Sequence, residues 1–301
     1  MDSLEPQYKC PAADGLFNNI KSSANTPWKQ HLDRAAELYR TLDDISGVPS
    51  NDNGFHMSFD HYYDNLSARQ CHAKPLPCKL VDGKNSTSCV TQELADTVYR
   101  LGNWEYSQIY RDSPSSLQAS AASLGVWIGE LTTHWRDVLA GKSATVYFHN
   151  VAHDGSVSRL LSVLQIDKMV WPGMGSEVVF ELYKKKAGTG CNHDNCLRYM
   201  IQQGDGAAKY CNGATPTWPS QCGGESRVKS ACGCLSVPTA TAGVKRDDTG
   251  KYFVRVLFGG KVLKSSVPEF GVMDMVPVET LLEYFDKLVG KGASNVKANC
   301  Q

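Results

Sequence analysis

No stretch of this sequence approaches the ~18 to 20 consecutive apolar residues that cross a bilayer, and Val296-Lys297-Ala298-Asn299-Cys300-Gln301 forms no apolar anchor tail. The sequence therefore predicts no membrane-spanning element. Charge of either sign is not in excess, since 31 Lys+Arg balance 31 Asp+Glu, and no basic block occurs. Nothing here would release counterions from a phosphate backbone, so nucleic acid and anionic membrane surfaces are set aside as partners. Met1-Asp2-Ser3-Leu4-Glu5-Pro6 has neither the basic nor the apolar region of a secretion signal.

Cysteine, by contrast, is plentiful: eleven in 301 residues, a heavy load for a reducing compartment, where disulfides do not persist. The sequons Asn65-Leu66-Ser67 and Asn85-Ser86-Thr87 agree with a secreted, glycosylated setting. A secretory interior behind a non-secretory N-terminus, with an odd cysteine count, predicts that the chain is the C-terminal part of a longer precursor. At ~150 residues per domain the length permits one large domain or two ordinary ones.

Residues 1–142 read as mainly helical. Apolar positions recur at Leu32, Ala35, Ala36, Leu38 and Leu42, predicting a helix over 28–44 that stops near Gly47 and Pro49. Further helices are expected over 57–71 and 91–110, separated by a polar loop over 74–88. The clearest signal is Leu117, Ala121, Leu124, Ile128, Leu131, Trp135 and Val138, opened by Ser113-Pro114 and closed by Gly141. Thr145-Val146-Tyr147-Phe148-His149 then reads as a strand by its β-branched and aromatic residues. A polar turn follows, and then a helix carrying Val157, Leu160, Leu161 and Leu164. Strands are expected over 177–183 and 252–258, with Gly259-Gly260 turning the latter into a hairpin and a last helix opening at Pro277. Helices first, then alternating strands and helices, imply an α/β unit with a helical domain. The divisions are a helical cap over 1–142, an α/β part over 143–186 with 247–301, and a cysteine-rich insert over 187–246.

The insert holds six of the eleven cysteines, spaced C-x4-C-x14-C-x10-C-x9-C-x-C. About 60 residues rich in Gly and Ser cannot bury enough core alone, so three disulfides are the expected staples. Cys191 and His193 beside Cys232 and Cys234 raise a metal alternative, but the C-x-C edge suits zinc poorly. If the six pair among themselves, one of Cys10, Cys71, Cys78, Cys89 and Cys300 is left over.

His153-Asp154-Gly155-Ser156 leaves a strand end and opens a helix, where open α/β sheets bind ligands. Outward backbone N–H groups and the helix dipole there favour an anion. His153 could donate a hydrogen bond to it, and Asp154, if protonated, could act as general acid. Asp at a helix start is also an ordinary cap, and catalysis does not follow from the pair alone. His61, Tyr62 and Tyr63 read as helix packing, His149 as a strand histidine satisfied by hydrogen bonds or else bordering the pocket, and Trp104, Trp127 and Trp135 as core or interdomain contacts. Ser156 lacks the glycine elbow of a hydrolase nucleophile.

His149-Asn150-Val151-Ala152-His153-Asp154-Gly155-Ser156, with Met169-Val170-Trp171-Pro172-Gly173-Met174-Gly175-Ser176-Glu177, resembles the C-terminal part of the secreted fungal histidine acid phosphatases. These belong to the histidine phosphatase superfamily, in the branch that includes the phytases. Ser58-Phe59-Asp60-His61-Tyr62-Tyr63, Tyr106-Ser107-Gln108-Ile109-Tyr110-Arg111-Asp112 and Gly271-Val272-Met273-Asp274 are similar to the same family. The likeness covers nearly everything but the insert, which is similar to a six-cysteine module of fungal extracellular proteins. It implies an α/β, phosphoglycerate-mutase-like sheet flanked by helices, with a helical cap. The implied activity is phosphomonoester hydrolysis in two steps, without metal or cofactor. A histidine of an Arg-His-Gly-x-Arg motif attacks phosphorus, arginines clamp the phosphoryl oxygens, and an Asp protonates the leaving alcohol. Asp154 matches that proton donor and His153 the phosphate-contacting histidine.

The sequence departs from the family where the nucleophile should be. None of its eight histidines stands in an Arg-His-Gly context. The expectation is half a site, with negligible turnover by this polypeptide alone. The competing expectation is a non-catalytic relative that keeps an anion cradle. A third is that the insert attaches the protein to a surface or partner. Neither the physiological phosphomonoester nor the oligomeric state follows from the sequence.

Overall fold

The computed structural model describes residues 8–185, 195–203, 207–211, 219–222, 228–229, 231–232 and 252–301. The protein is a mixed α/β chain dominated by helix, in two compact units: Met1–Leu182 with Val254–Gln301, and Tyr183–Phe253.

In the larger unit, α1 (Pro11–Ile20) and α2 (Thr26–Ser46) come first. Helix α2 buries Trp28, Ala35, Tyr39, Leu42 and Ile45 on one face. It ends at Gly47, whose φ of 77° lets its N–H bond back to the Asp43 carbonyl at 2.7 Å. A 3₁₀ turn (Phe55–Met57) precedes α3 (Asp60–Cys71), the two being separated at Ser58, where the backbone is extended. Helix α4 (Gln92–Ser107) is capped by the Thr91 hydroxyl, which accepts from the Leu94 N–H. It runs on into a π-turn (Gln108–Asp112).

Helix α5 (Ser116–Leu139) is the central element. It packs against α1, the π-turn, α6 (Asp154–Val163), α9 (Val278–Val289) and α10 (Val296–Asn299). Close packing rests on small side chains: Ser116, Ser120 and Ser123 of α5 and Ser156, Ser158 and Ser162 of α6 are buried. A Cβ at Gly125 would stand 2.4 Å from Val296 Cγ2, so only glycine admits the C-terminal segment there. Arg136 of α5 donates through Nη2 to both carboxylate oxygens of Asp286 on α9, at 2.8 and 2.6 Å.

The sheet comprises β3 (Val178–Lys184), β4 (Tyr252–Phe258), β5 (Lys261–Val262) and β6 (Val276–Pro277), in the order β3-β4-β5 with β6 also paired to β4. Strands β4 and β5 form an antiparallel hairpin across Gly259 and Gly260, whose φ values of 55° and 73° suit a type I′ turn.

Two local expectations are corrected. Residues 145–149 form no strand: they have no regular secondary structure and are solvent-exposed, with Val146 at 98% and Tyr147 at 74% exposure. Their β-branched composition suits a sheet, but a strand requires a hydrogen-bonded neighbour, and none flanks them among the described residues. The region read as a polar loop contains a hairpin, β1 (Cys78–Val81) and β2 (Lys84–Cys89). Its turn is Asp82-Gly83, with φ of 49° and 75°, an Asp-Gly hairpin signal.

Cys10–Cys300 closes the larger unit end to end, and Cys78–Cys89 clips the β1–β2 hairpin. Cys71 is the free, exposed thiol of the five cysteines outside the insert. In the smaller unit α7 (Asn195–Gln202) and α8 (Ala208–Cys211) surround Cys196, Met200, Ala207, Cys222, Val228 and Ala231. Cys196–Cys222 and Cys211–Cys232 staple it. Cys191, His193 and Cys234, needed for the third disulfide or for the metal alternative, lie outside the described residues. Disulfides on this scale are compatible with an extracellular setting. Among the described residues no helix is long and apolar enough to cross a membrane.

Candidate functional site

Helix α6 places the predicted pair at its start. His153 is the N-cap, extended at φ −84° and ψ 163°, and Asp154 is the first helical residue. Both are solvent-exposed. Asp154 is nevertheless held in place from outside its helix. Its Oδ2 accepts the indole N–H of Trp171 at 2.6 Å and the hydroxyl of Tyr106 at 3.1 Å. Its Oδ1 accepts the N–H of Gly155 at 2.6 Å.

The two outside donors come from distant parts of the chain and are positioned by packing. The buried Trp171 ring is sandwiched between Tyr63 of α3 and Tyr106 of α4, with both centroids 3.9 Å away and interplanar angles of 8° and 20°. Asn103 Oδ1 accepts the Trp171 backbone N–H at 2.8 Å and fixes the main chain. Glycine is required at 102, because a Cβ there would stand 2.5 Å from Tyr63 Cδ2 and 3.1 Å from Trp171 Cε3. Burial, with Tyr110 and Asp154 nearby, holds the Tyr106 phenol far above its ordinary value. It is therefore always a donor to Asp154. Burial, then Asp154, raises Tyr63 as well.

The first turn of α6 offers less to an anion than the sequence suggests. The Gly155 N–H is taken by Asp154 Oδ1, and the Ser156 and Val157 N–H groups both donate to the His153 carbonyl at 3.1 Å. A carboxylate of the chain itself already occupies the positive end of the helix. Positive charge enters instead from Arg159, four residues beyond Gly155 on the same face. Its side chain leans towards the N-terminus, as helical side chains do, and its Nη1 stands 3.4 Å from the point where a Gly155 Cβ would be. Tyr110 Oη stands 3.7 Å from the same point. The guanidinium carbon lies 5.6 Å from the Phe17 ring centroid, and Nε is buried with no hydrogen-bond partner among the described residues.

The structure thus brings together Asp154, His153, Tyr106, Tyr110, Arg159 and Trp171. His149 lies in the exposed stretch, with its ring 6.0 Å from that of Tyr147, and His61 is exposed beside Asp60 and Phe55. The sequence reading missed Trp171 and Tyr106 as anchors of Asp154. The available signal was that both sit in stretches carrying the phosphatase resemblance, and that Trp and Tyr each combine an apolar ring with a donor. Chemically, the arrangement presents one oriented carboxyl group beside an imidazole and a guanidinium, the donor set for a phosphate or carboxylate group. No protein-family model and no curated protein matches this chain.

Proposed function

We propose that this chain carries the acid half of a phosphomonoesterase site in a secreted, glycosylated protein of the histidine acid phosphatase kind. The supporting observation is the fixing of an exposed carboxyl group, Asp154, by donors from two other segments. A surface aspartate that only caps a helix has no need of a buried tryptophan sandwich. In this reading His153 contacts the phosphoryl group, and Asp154, which must first take up a proton from solvent, passes it to the leaving oxygen as the P–O bond breaks. The attacking histidine is supplied by residues other than these 301, since Arg-His-Gly is absent. Alone, the chain binds phosphate and turns over negligibly.

Isothermal titration with inorganic phosphate tests the binding part. Saturable binding is expected, weakened about tenfold by His153→Ala through loss of one charge-assisted hydrogen bond. Absence of binding by the unaltered chain overturns the reading. A kcat/KM for p-nitrophenyl phosphate equal to that of ordinary acid phosphatases, abolished in Asp154→Asn, overturns the claim of negligible turnover.

A further inference from the structure

We infer that Arg159 is the phosphate-binding cation that this chain itself contributes to the site. The inference rests on the phosphate reading above and adds a residue to which the resemblance assigns no part. Three observations carry it. Arg159 lies on α6 in line with Gly155, so its guanidinium reaches back over the helix start and sits beside the turn that presents His153 and Asp154. No ion pair to Arg159 exists among the described residues, and its buried Nε lacks a hydrogen-bond acceptor. A guanidinium without a carboxylate partner keeps a charge that the protein does not compensate, which an external anion can pair with. Lastly, the N–H groups of the first helical turn are already engaged. A dianion approaching Asp154 would meet repulsion there unless a fixed positive charge lay alongside.

The Phe17 ring under the guanidinium and the Tyr110 hydroxyl beside it limit its freedom. That favours a planar fork presented to a tetrahedral anion over a flexible surface charge. An arginine here favours an oxyanion with two terminal oxygens to accept from one guanidinium, and the second negative charge of a phosphomonoester dianion strengthens that attraction over a phosphodiester monoanion.

The test is inorganic phosphate binding by calorimetry on the unaltered chain, Arg159→Gln, Arg159→Lys and His153→Ala, with circular dichroism to show that each is folded. Arg159→Gln is expected to weaken phosphate at least about tenfold, with Arg159→Lys intermediate, since lysine keeps the charge but not the fork. Phosphate is also expected to slow phenylglyoxal modification of Arg159 in the unaltered chain, which needs no variant to fold. If the unaltered chain binds phosphate, His153→Ala weakens it and neither Arg159 readout responds, the Arg159 assignment is overturned while the phosphate reading stands. If the unaltered chain binds no phosphate, both fall. If the Arg159 readouts respond and His153→Ala does not, Arg159 is upheld and the role of His153 is lost.

Discussion

Trp171 donates its indole N–H to Asp154 Oδ2 across 2.6 Å from a position in which its ring cannot turn, stacked between Tyr63 and Tyr106. The same Oδ2 also accepts from Tyr106. Removing one donor leaves the other to hold the carboxylate. Trp171→Phe and Tyr106→Phe are each expected to lose about 1 kcal/mol from this hydrogen bond, beyond any packing change. The double variant should lose more than the sum, by about 0.5 kcal/mol or more, because the second loss leaves Oδ2 without either of its donors. Urea denaturation of the four proteins measures it.

Gly102→Ala is expected to destabilise by about 1–3 kcal/mol through overpacking, because its new methyl group would press on Tyr63 and Trp171. The same denaturation series reads the cost, and a loss of phosphate affinity should accompany it, since the sandwich orients Asp154.

Burial holds the Glu105 carboxyl above its ordinary range, against the opposing pull of the His31 imidazole and the Phe59 N–H. The carboxylate lies 2.7 Å from His31 Nε2 and 2.8 Å from that N–H. A raised folded-state value means that the native state holds the proton more tightly. The resulting stability is fully present below the unfolded value of ~4.3 and is lost as pH rises through the raised one. The unaltered chain is therefore expected to lose stability relative to Glu105→Gln as pH rises from about 4 to 7, measured as the difference in unfolding free energy across that range. An acidic working environment would suit such a core.

Cys10–Cys300 spans 290 residues and Cys78–Cys89 spans 11. If restricted unfolded-chain entropy dominates, replacing the first pair by serine should cost about 3 kcal/mol more than replacing the second. Melting curves of the two double variants decide. Alkylation without reduction should label Cys71 and spare these four.

The helical part was legible because burial on one face leaves a period of 3.6 in the sequence: α2, α4, α5 and α9 follow their apolar residues, with Gly47 and Gly141 at the ends. Residues 145–149 were misread because composition reports what suits a strand, whereas a partner strand makes one. The β1–β2 hairpin was hidden by Pro75, Pro77 and the polar residues around its Asp82-Gly83 turn. Asp154 and His153 could be named from a local pattern. Tyr106 of α4 and the loop residue Trp171, stacked on Tyr63 of α3, meet at Asp154, and no local period encodes that meeting.

The exposed run from Thr145 to Val151 also bears on how the protein behaves in concentrated solution. Thr145-Val146-Tyr147-Phe148-His149-Asn150-Val151 contains no proline, glycine, lysine, arginine, aspartate or glutamate, and among the described residues no strand pairs with it. Such a segment is a template for pairing between molecules. With a formal net charge of zero at pH 7, long-range repulsion does little to keep copies apart. Solubility should thus be governed by these few residues, and a lysine in place of Val146 should raise it more than the same change made anywhere on the helical surface.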